Sequence, residues 1–280
     1  METSTASKSS EASHSGHCAC KHTISSSCEF CDRNSTKSSN SFVPMLAGIK
    51  YIEFDGKSLP IFTQISNGPC SLIAIVNALC LQQKITPLIS EKQEQVELDS
   101  LVQLVADYLI NQQVPESPEL AANYQSNLDD ALDILYQLKD GININVHFSG
   151  IQDFEFTKEM SLLDILKINL YHGWVMDPID IKKHEEFSKL TYNQLMELIC
   201  IWEDAKPESP EKEKYMIATR FLTAFPNQLS DYGLRLLVDS IPESTVSVFF
   251  RNDHFLTIIR RGRQVIFLVS DHGYQKNSDV

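Results

Sequence analysis

The sequence predicts an α+β domain of about 240 residues, covering residues 41–280. Three observations support this class. Helical periodicity fills the middle of the chain, short strand-like runs lie towards both ends of the domain, and the last two of these runs face each other across a turn signal. A chain of 280 residues with 42% hydrophobic content can bury a core of that size.

The segment before the domain, residues 1–40, is predicted to be a disordered Ser-rich tail. It holds twelve Ser and four Thr, and too few large apolar side chains to offset its ordering entropy. Four cysteines lie there and could hold one Zn²⁺: Cys18, Cys20, Cys28 and Cys31. The alternative is a tail that happens to carry thiols. Because the spacing matches no standard zinc finger, we predict no metal and no other cofactor.

The strands and helices of the domain follow in order. Lys50–Phe54 is a predicted strand that ends at the Asp55-Gly56 turn. Asn67-Gly68-Pro69 leads into a helix with a buried apolar stripe. Two further amphipathic helices are predicted over roughly 98–109 and 128–135.

In the second half of the domain, Ile142–Phe148 alternates apolar and polar residues as a half-buried strand does. Helices are predicted over about 190–203 and 213–224, and after Ser230 as a cap. The chain then becomes β, with predicted strands over 245–250, 254–259 and 264–270.

Net charge and cysteine usage limit the class of function. The formal charge is −13, and because residues 1–40 are balanced, the whole excess falls on residues 41–280. We therefore expect no nucleic-acid partner, which would need clustered Lys and Arg. No apolar run is long enough for a membrane span and no secretory signal is recognisable, so we expect no membrane partner. Scattered cysteines favour a cytoplasmic or nuclear location. We expect a monomer.

Cys70 is the candidate nucleophile. It lies at the mouth of the predicted buried helix, where free N–H groups and the helix dipole favour a thiolate. The alternative is a small core residue, which is the usual state of a single cysteine. Cys80 and Cys200 lie in apolar helical runs, and for both of them the core interpretation is preferred.

Two further residues could complete a thiol acyl-transfer site. His254 stands between two apolar strands, where packing can hold its ring as a general base. Gln64 could donate to an oxyanion through its side-chain amide. Papain-like cysteine peptidases have a Gln at the same spacing before the nucleophile, and this point is a resemblance.

The segment Gln64–Ala74 (Gln-Ile-Ser-Asn-Gly-Pro-Cys-Ser-Leu-Ile-Ala) closely resembles the nucleophile segment of the MINDY family of deubiquitinases. Further segments across residues 48–275 resemble the same family, in the family's order: Gly141–Phe154, Leu170–Pro178, Leu190–Leu195 and Val246–His254. The sequence departs from the family's pattern at Ser71, where many members have Pro, and at Asp253, where Asn is expected. It also ends soon after the terminal hairpin, so we expect a shortened C-terminus.

The resemblance implies a papain-like architecture, in which the nucleophile helix packs against a small antiparallel sheet with a C-terminal hairpin. It also implies an isopeptidase acting on polyubiquitin and ubiquitinated proteins, with a preference for chains joined through ubiquitin's lysine-forty-eight. By position, Cys70 is the nucleophile, His254 the base and Gln64 the oxyanion donor. Two alternatives remain: a catalytically inactive ubiquitin-binding module on the same fold, and a papain-like peptidase acting on other proteins.

The third catalytic residue follows from hairpin geometry. A two-residue turn at Arg261-Gly262 would make Asp271 a diagonal neighbour of His254, and one at Gly262-Arg263 would place the two directly opposite. Either register puts both on one sheet face, so Asp271 is our candidate to orient His254. The alternative is a carboxylate that bonds loop N–H groups. Asp253 is the weaker candidate, because adjacent strand residues point to opposite faces.

Overall fold

The helix that begins at Cys70 is the centre of the fold. A computed structural model describes residues 44–65, 69–182 and 184–277. In it, α1 (Cys70–Leu81) has eleven buried residues, and Cys70 alone is half-buried. The helix is buried on every side because it packs between the two sheets. The periodicity of its sequence had predicted only one buried stripe.

The first sheet has three antiparallel strands in the order β2-β1-β3. It comprises β1 (Leu46–Phe54), β2 (Lys57–Gln64) and β3 (Gln95–Glu97). The predicted strand and the Asp55-Gly56 turn are confirmed, and both turn residues have positive φ. The sequence analysis missed β2. Pro60 lies within it, and a proline that donates no hydrogen bond is tolerated there because β2 is an edge strand.

The second sheet has four strands in the order β4-β5-β6-β7. They are β4 (Leu170–Tyr171), β5 (Val246–Arg251), β6 (His254–Arg261) and β7 (Gln264–Phe267). β5, β6 and β7 pair antiparallel, whereas β4, which was not predicted, pairs parallel to β5. The expected antiparallel sheet is thus a mixed one.

The remaining helices pack mainly against one another. The predicted helices in the middle of the chain are confirmed, although α3 is longer at its start, because Ser117 and Pro118 begin it ten residues before the predicted stripe. The structure adds α4 and the short α5 to them. The bounds are α2 (Leu98–Ile110), α3 (Pro118–Leu135), α4 (Lys158–Leu166), α5 (Glu186–Lys189), α6 (Tyr192–Trp202), α7 (Pro210–Ala224) and α8 (Asp231–Ser240), with 3₁₀ turns at Tyr136–Lys139 and His272–Tyr274.

The central strands β5 and β6 of the four-stranded sheet pack into a core on each face, whereas the edge strand β7 is mostly exposed. The face towards α1 carries Val248 and Ile259 and belongs to the main core, whereas Phe249 and Ile258 point into a second, smaller core with Leu237 of α8. Among the described residues, no helix is long and apolar enough to cross a membrane.

The predicted strand over Ile142–Phe148 is wrong. The segment makes only isolated bridges, Val146 to Phe154 and His147 to Thr191, and joins neither sheet. The apolar residues Val146 and Phe148 of the alternating pattern are buried, as a strand would bury them. A strand also needs a neighbour whose backbone pairs with it along its length. The predicted tail, residues 1–40, and its cysteine cluster lie outside the described residues.

Candidate active site

The four predicted site residues line one cleft of about 520 Å³. They come from four separate places in the chain: Gln64 ends β2, Cys70 begins α1, His254 begins β6 and Asp271 follows β7. The remaining lining residues are Asp140, Gly141, Ile142, Asn143, Ile144, Phe250, Asp253 and Phe255. Neither Cys80 nor Cys200 lines this cleft. Cys80 is buried, as predicted, whereas the core prediction for Cys200 is wrong, because this residue lies on the exposed side of α6.

Cys70 is held by the start of α1. Pro69 is buried before it and accepts the Ile73 N–H at 2.9 Å, which closes the first turn of the helix. The Ser71 hydroxyl, fully buried, donates to the Leu138 carbonyl at 3.1 Å and ties the helix start to the 3₁₀ turn. The backbone of Cys70 is therefore held by contacts in the core, and its side chain lines the cleft.

Two opposing influences act on the pKa of the Cys70 thiol, and burial is the larger one. Burial raises the pKa of the thiol above its ordinary value of 9.0, while backbone N–H groups of Phe255, Ser71 and Cys70 itself lower it. The predicted helix-terminus effect is present, but it is the smaller influence. In the free protein the thiol is therefore neutral at pH 7, and it needs a base to become a nucleophile.

Gln64 is positioned by a side chain of α1. The Asn77 carboxamide accepts the Phe62 N–H at 2.7 Å and donates to the Phe62 carbonyl at 2.9 Å, all within the core. This pair of bonds imitates a neighbouring strand for β2, two residues before Gln64. Asn77 was not singled out in the sequence analysis. A single polar residue inside the apolar run Leu72–Leu81 was the signal that could have revealed it.

His254 begins β6 directly after a two-residue turn. It pairs with Arg251 across Asn252 and Asp253, both of which have positive φ (52° and 55°). Further along β6, the buried Thr257 hydroxyl donates to the Ala74 carbonyl at 3.1 Å and sets this strand against α1. Among the described residues, the His254 ring makes no hydrogen bond, either to Cys70 or to a carboxylate.

The turn predicted for the last hairpin is confirmed at Gly262-Arg263. The register pairs Arg261 with Gln264, and Gly262 has a φ of 60°. The expected continuation to Asp271 opposite His254 is wrong, because β7 ends at Phe267 and the chain crosses to the other sheet. There the backbone N–H of Gln64 donates to the Ser270 carbonyl at 2.7 Å, and Asp271 forms a parallel bridge with Gln64.

Asp271 thus lines the cleft together with His254, but it reaches the cleft beside Gln64. No hydrogen bond joins its carboxylate to the His254 ring within the described part of the chain. Its orienting role stays a prediction, as do the roles of Cys70, His254 and Gln64. What the crossing does establish is a physical link between the end of the hairpin and the candidate oxyanion donor.

A further wall of the cleft is the segment 140–144, whose last three residues were predicted to begin the strand Ile142–Phe148. Its irregular backbone leaves Asp140 exposed at the rim, where Asp253 and Asp271 are also exposed. The described residues that line the cleft include no Lys and no Arg. The rim is therefore negative, and it favours a substrate with positive charge near the reacting bond.

The other histidine of the core has a structural role. Burial lowers the pKa of His172 to about 4, so the ring is neutral at pH 7. Its Nδ1 accepts the Trp174 N–H at 3.2 Å and its ring packs edge-on to Phe154. His172 does not line the cleft.

The arrangement can perform thiol acyl transfer. It provides a half-buried thiol at a helix N-terminus, an imidazole on the adjacent strand and an amide donor at the end of a third element. The cleft reaches solvent past its exposed acidic rim.

Comparison with known proteins identifies the family of the chain. A sequence model of the MINDY deubiquitinase family matches residues 47–280. The chain is 38% identical over 233 residues to ubiquitin carboxyl-terminal hydrolase MINDY-1 of Homo sapiens, covering 83% of this chain and 49% of that protein. MINDY-1 of Bos taurus is 39% identical with the same coverage. MINDY-2 of Homo sapiens is 35% identical, covering 83% of this chain and 37% of that protein.

The chain thus spans about half the length, or less, of these relatives.

Proposed function

The chain belongs to the MINDY deubiquitinase family, and we propose that it is a cysteine isopeptidase. The bond it cleaves joins the C-terminal glycine of ubiquitin to a lysine in polyubiquitin, with chains linked through lysine-forty-eight preferred. One observation carries the proposal: the cleft collects Cys70, His254 and Gln64 from three separate elements.

The proposed reaction begins with proton transfer. The His254 imidazole takes the proton from the Cys70 sulfur, and the thiolate attacks the carbonyl carbon of the isopeptide bond. The negative charge moves to the carbonyl oxygen, which accepts hydrogen bonds from the Gln64 side-chain amide and from a backbone N–H at the start of α1. Because burial raises the pKa of the Cys70 thiol, the reaction needs His254 to accept the proton.

Collapse of the tetrahedral intermediate breaks the carbon–nitrogen bond. The lysine amine leaves with the proton held by His254, and ubiquitin stays on Cys70 as a thioester. A water molecule, deprotonated by His254, then attacks the thioester carbonyl. The products are ubiquitin with a free carboxylate and the regenerated thiol.

Two further parts of the proposal concern architecture and setting. We infer a papain-like arrangement, supported by a helix that begins at the nucleophile and packs against the strand carrying the base. The acidic rim supports a basic peptide segment as the part of the substrate nearest Cys70. A cytoplasmic or nuclear location is proposed because a reactive thiol needs a reducing compartment.

The test is incubation of the full chain with ubiquitin dimers of each linkage, read by the appearance of monomer. Wild-type protein should cleave the lysine-forty-eight-linked dimer fastest, and Cys70→Ala should cleave none, because it removes only the sulfur at a helix start where Ala is well tolerated. Cys200→Ala, which removes an exposed thiol on α6, is the matched control and should cleave at the wild-type rate.

Each other outcome has its own meaning. Cleavage by Cys70→Ala at the wild-type rate would exclude Cys70 as the nucleophile. Binding of ubiquitin without cleavage, and without labelling of Cys70 by a ubiquitin C-terminal electrophile, would identify an inactive binding module. Cleavage of unrelated peptides but of no ubiquitin chain would point to a general papain-like peptidase.

A further inference from the structure

Gln228 lies in the loop between α7 and α8, and it contacts the turn that carries His254. Its side-chain oxygen Oε1 accepts the backbone N–H of Asn252 at 2.7 Å. From this contact we propose that Gln228 is a positioning residue for His254. The inference rests on the proposed function, since it concerns the base of that reaction.

The contact bears on the position of His254 because it holds a turn with an unfavourable backbone conformation. Asn252 and Asp253 are the two central residues of the β5–β6 hairpin, and both adopt left-handed backbone conformations without a glycine. This conformation is unfavourable for residues that carry a Cβ, even though Asn and Asp tolerate it better than most. In a two-residue hairpin the first central N–H makes no bond to the partner strand, and here Gln228 bonds it in place of water.

His254 depends on this turn more than on any bond of its ring. It is the last rung of the β5–β6 ladder before the turn, paired with Arg251. Within the described residues its imidazole makes no hydrogen bond. The direction of the ring is therefore set by the backbone of the turn and by packing, and a shift of the turn moves the base relative to Cys70.

Gln228 itself is firmly anchored. The next residue, Leu229, forms a bridge with Gly173, and Ser230 donates its N–H to the Gly173 carbonyl at 2.9 Å. The buried Ser230 hydroxyl donates to the Val175 carbonyl at 2.6 Å while it caps α8. The backbone that follows Gln228 is thus bonded to the segment Gly173–Val175.

The backbone of Gln228 is also strained. Its φ is 54°, where glycine would be favoured. Substitution by glycine should relieve the backbone while removing the acceptor. Stability and activity should therefore move in opposite directions, which a purely structural role would not produce.

The chain provides a matched control. Gln83 has a φ of 55°, and its side-chain oxygen accepts a bond from Lys57 Nζ. It follows the end of α1, roughly 20 Å from Cys70 at the rise of a helix. Gln83→Gly makes the same chemical change at the same backbone conformation, away from the cleft.

The experiment compares Gln228→Gly, Gln228→Glu and Gln83→Gly in the full chain, using a lysine-forty-eight-linked ubiquitin dimer. We expect Gln228→Gly to lower kcat by about 10- to 100-fold, as small misplacements of catalytic groups do, with KM within about twofold and no fall in Tm. Gln228→Glu retains an acceptor oxygen and should keep kcat within about threefold of wild type. Gln83→Gly should have the wild-type kcat.

Hydrogen exchange of the peptide that contains Asn252 provides a readout that needs no substrate. Exchange should speed up in Gln228→Gly and not in Gln228→Glu or Gln83→Gly. A wild-type kcat in Gln228→Gly overturns the inference, as does an equal loss in Gln83→Gly or a failure of Gln228→Glu to restore turnover. If the wild-type chain cleaves no dimer, the proposed function fails instead, and the exchange result alone decides whether Gln228 holds the turn.

Discussion

The two sides of the cleft are held in different ways. On the nucleophile side, buried side chains fix the backbone: Ser71 bonds Leu138, and Asn77 bonds both polar groups of Phe62. On the base side, His254 follows an exposed turn whose outer N–H is bonded by one side chain of a loop, Gln228. Both sides meet at α1, where Thr257 bonds Ala74.

The contrast separates stability from activity. A bond inside the core contributes to the folded state as a whole, because leaving its partners unsatisfied has a large free-energy penalty. A bond at an exposed turn contributes little to global stability but determines where one ring points. Substitutions on the nucleophile side should therefore destabilise the protein, whereas those on the base side should lower turnover.

The largest effect is expected at Gln64, which lies on the nucleophile side but lines the cleft as the proposed oxyanion donor. Removing one oxyanion donor typically lowers kcat by about 10²–10³-fold, and KM should change little because the donor acts mainly at the transition state. Steady-state cleavage by Gln64→Ala measures this, with Gln103→Ala on the exposed face of α2 as control. An unchanged kcat would assign the oxyanion role to another group.

A smaller effect, and one on stability, is expected at Asn77. Asn77→Ala leaves the N–H and carbonyl of Phe62 without partners in the core, which should lower the free energy of unfolding by about 3 kcal/mol. Urea denaturation measures the change, and Gln103→Ala should stay within about 0.5 kcal/mol of wild type. If Asn77→Ala were as stable as wild type, the nucleophile side would not be held in the way we describe.

The smallest effect concerns pH and asks whether the two sides are coupled before substrate binds. Because burial raises the pKa of the Cys70 thiol above 9.0, the neutral form persists at pH 7 and the thiolate fraction increases as pH rises through and beyond 9. Alkylation of Cys70 in the free protein should therefore still be accelerating at pH 9. Cys200 is exposed on α6. Its alkylation, measured in the same digest, serves as the control for the reactivity of the reagent. A plateau already present at pH 7 would instead indicate a thiolate–imidazolium pair in the free protein.

Sequence alone was sufficient for features with a local cause. The apolar stripe after Pro69 predicted α1, Ser230 predicted the start of α8, and the glycine at 262 predicted a two-residue turn. Helix periodicity, capping and turn chemistry act within a few residues, so they can be read from the chain. The residues of the cleft were chosen at the same stage, partly from local chemistry and partly from family resemblance.

Tertiary structure decided everything that depends on a partner distant in sequence. Ile142–Phe148 has the alternation of a strand, yet no neighbour pairs along it, and it became a wall of the cleft. Asp271 left the hairpin to pair with Gln64, because the edge of β2 was available there. Asn77 acts through two bonds to a residue 15 positions away, and Gln228 through one bond to a residue 24 positions away. A local pattern states what a segment can do, and the backbone groups that other segments leave unpaired determine what it does.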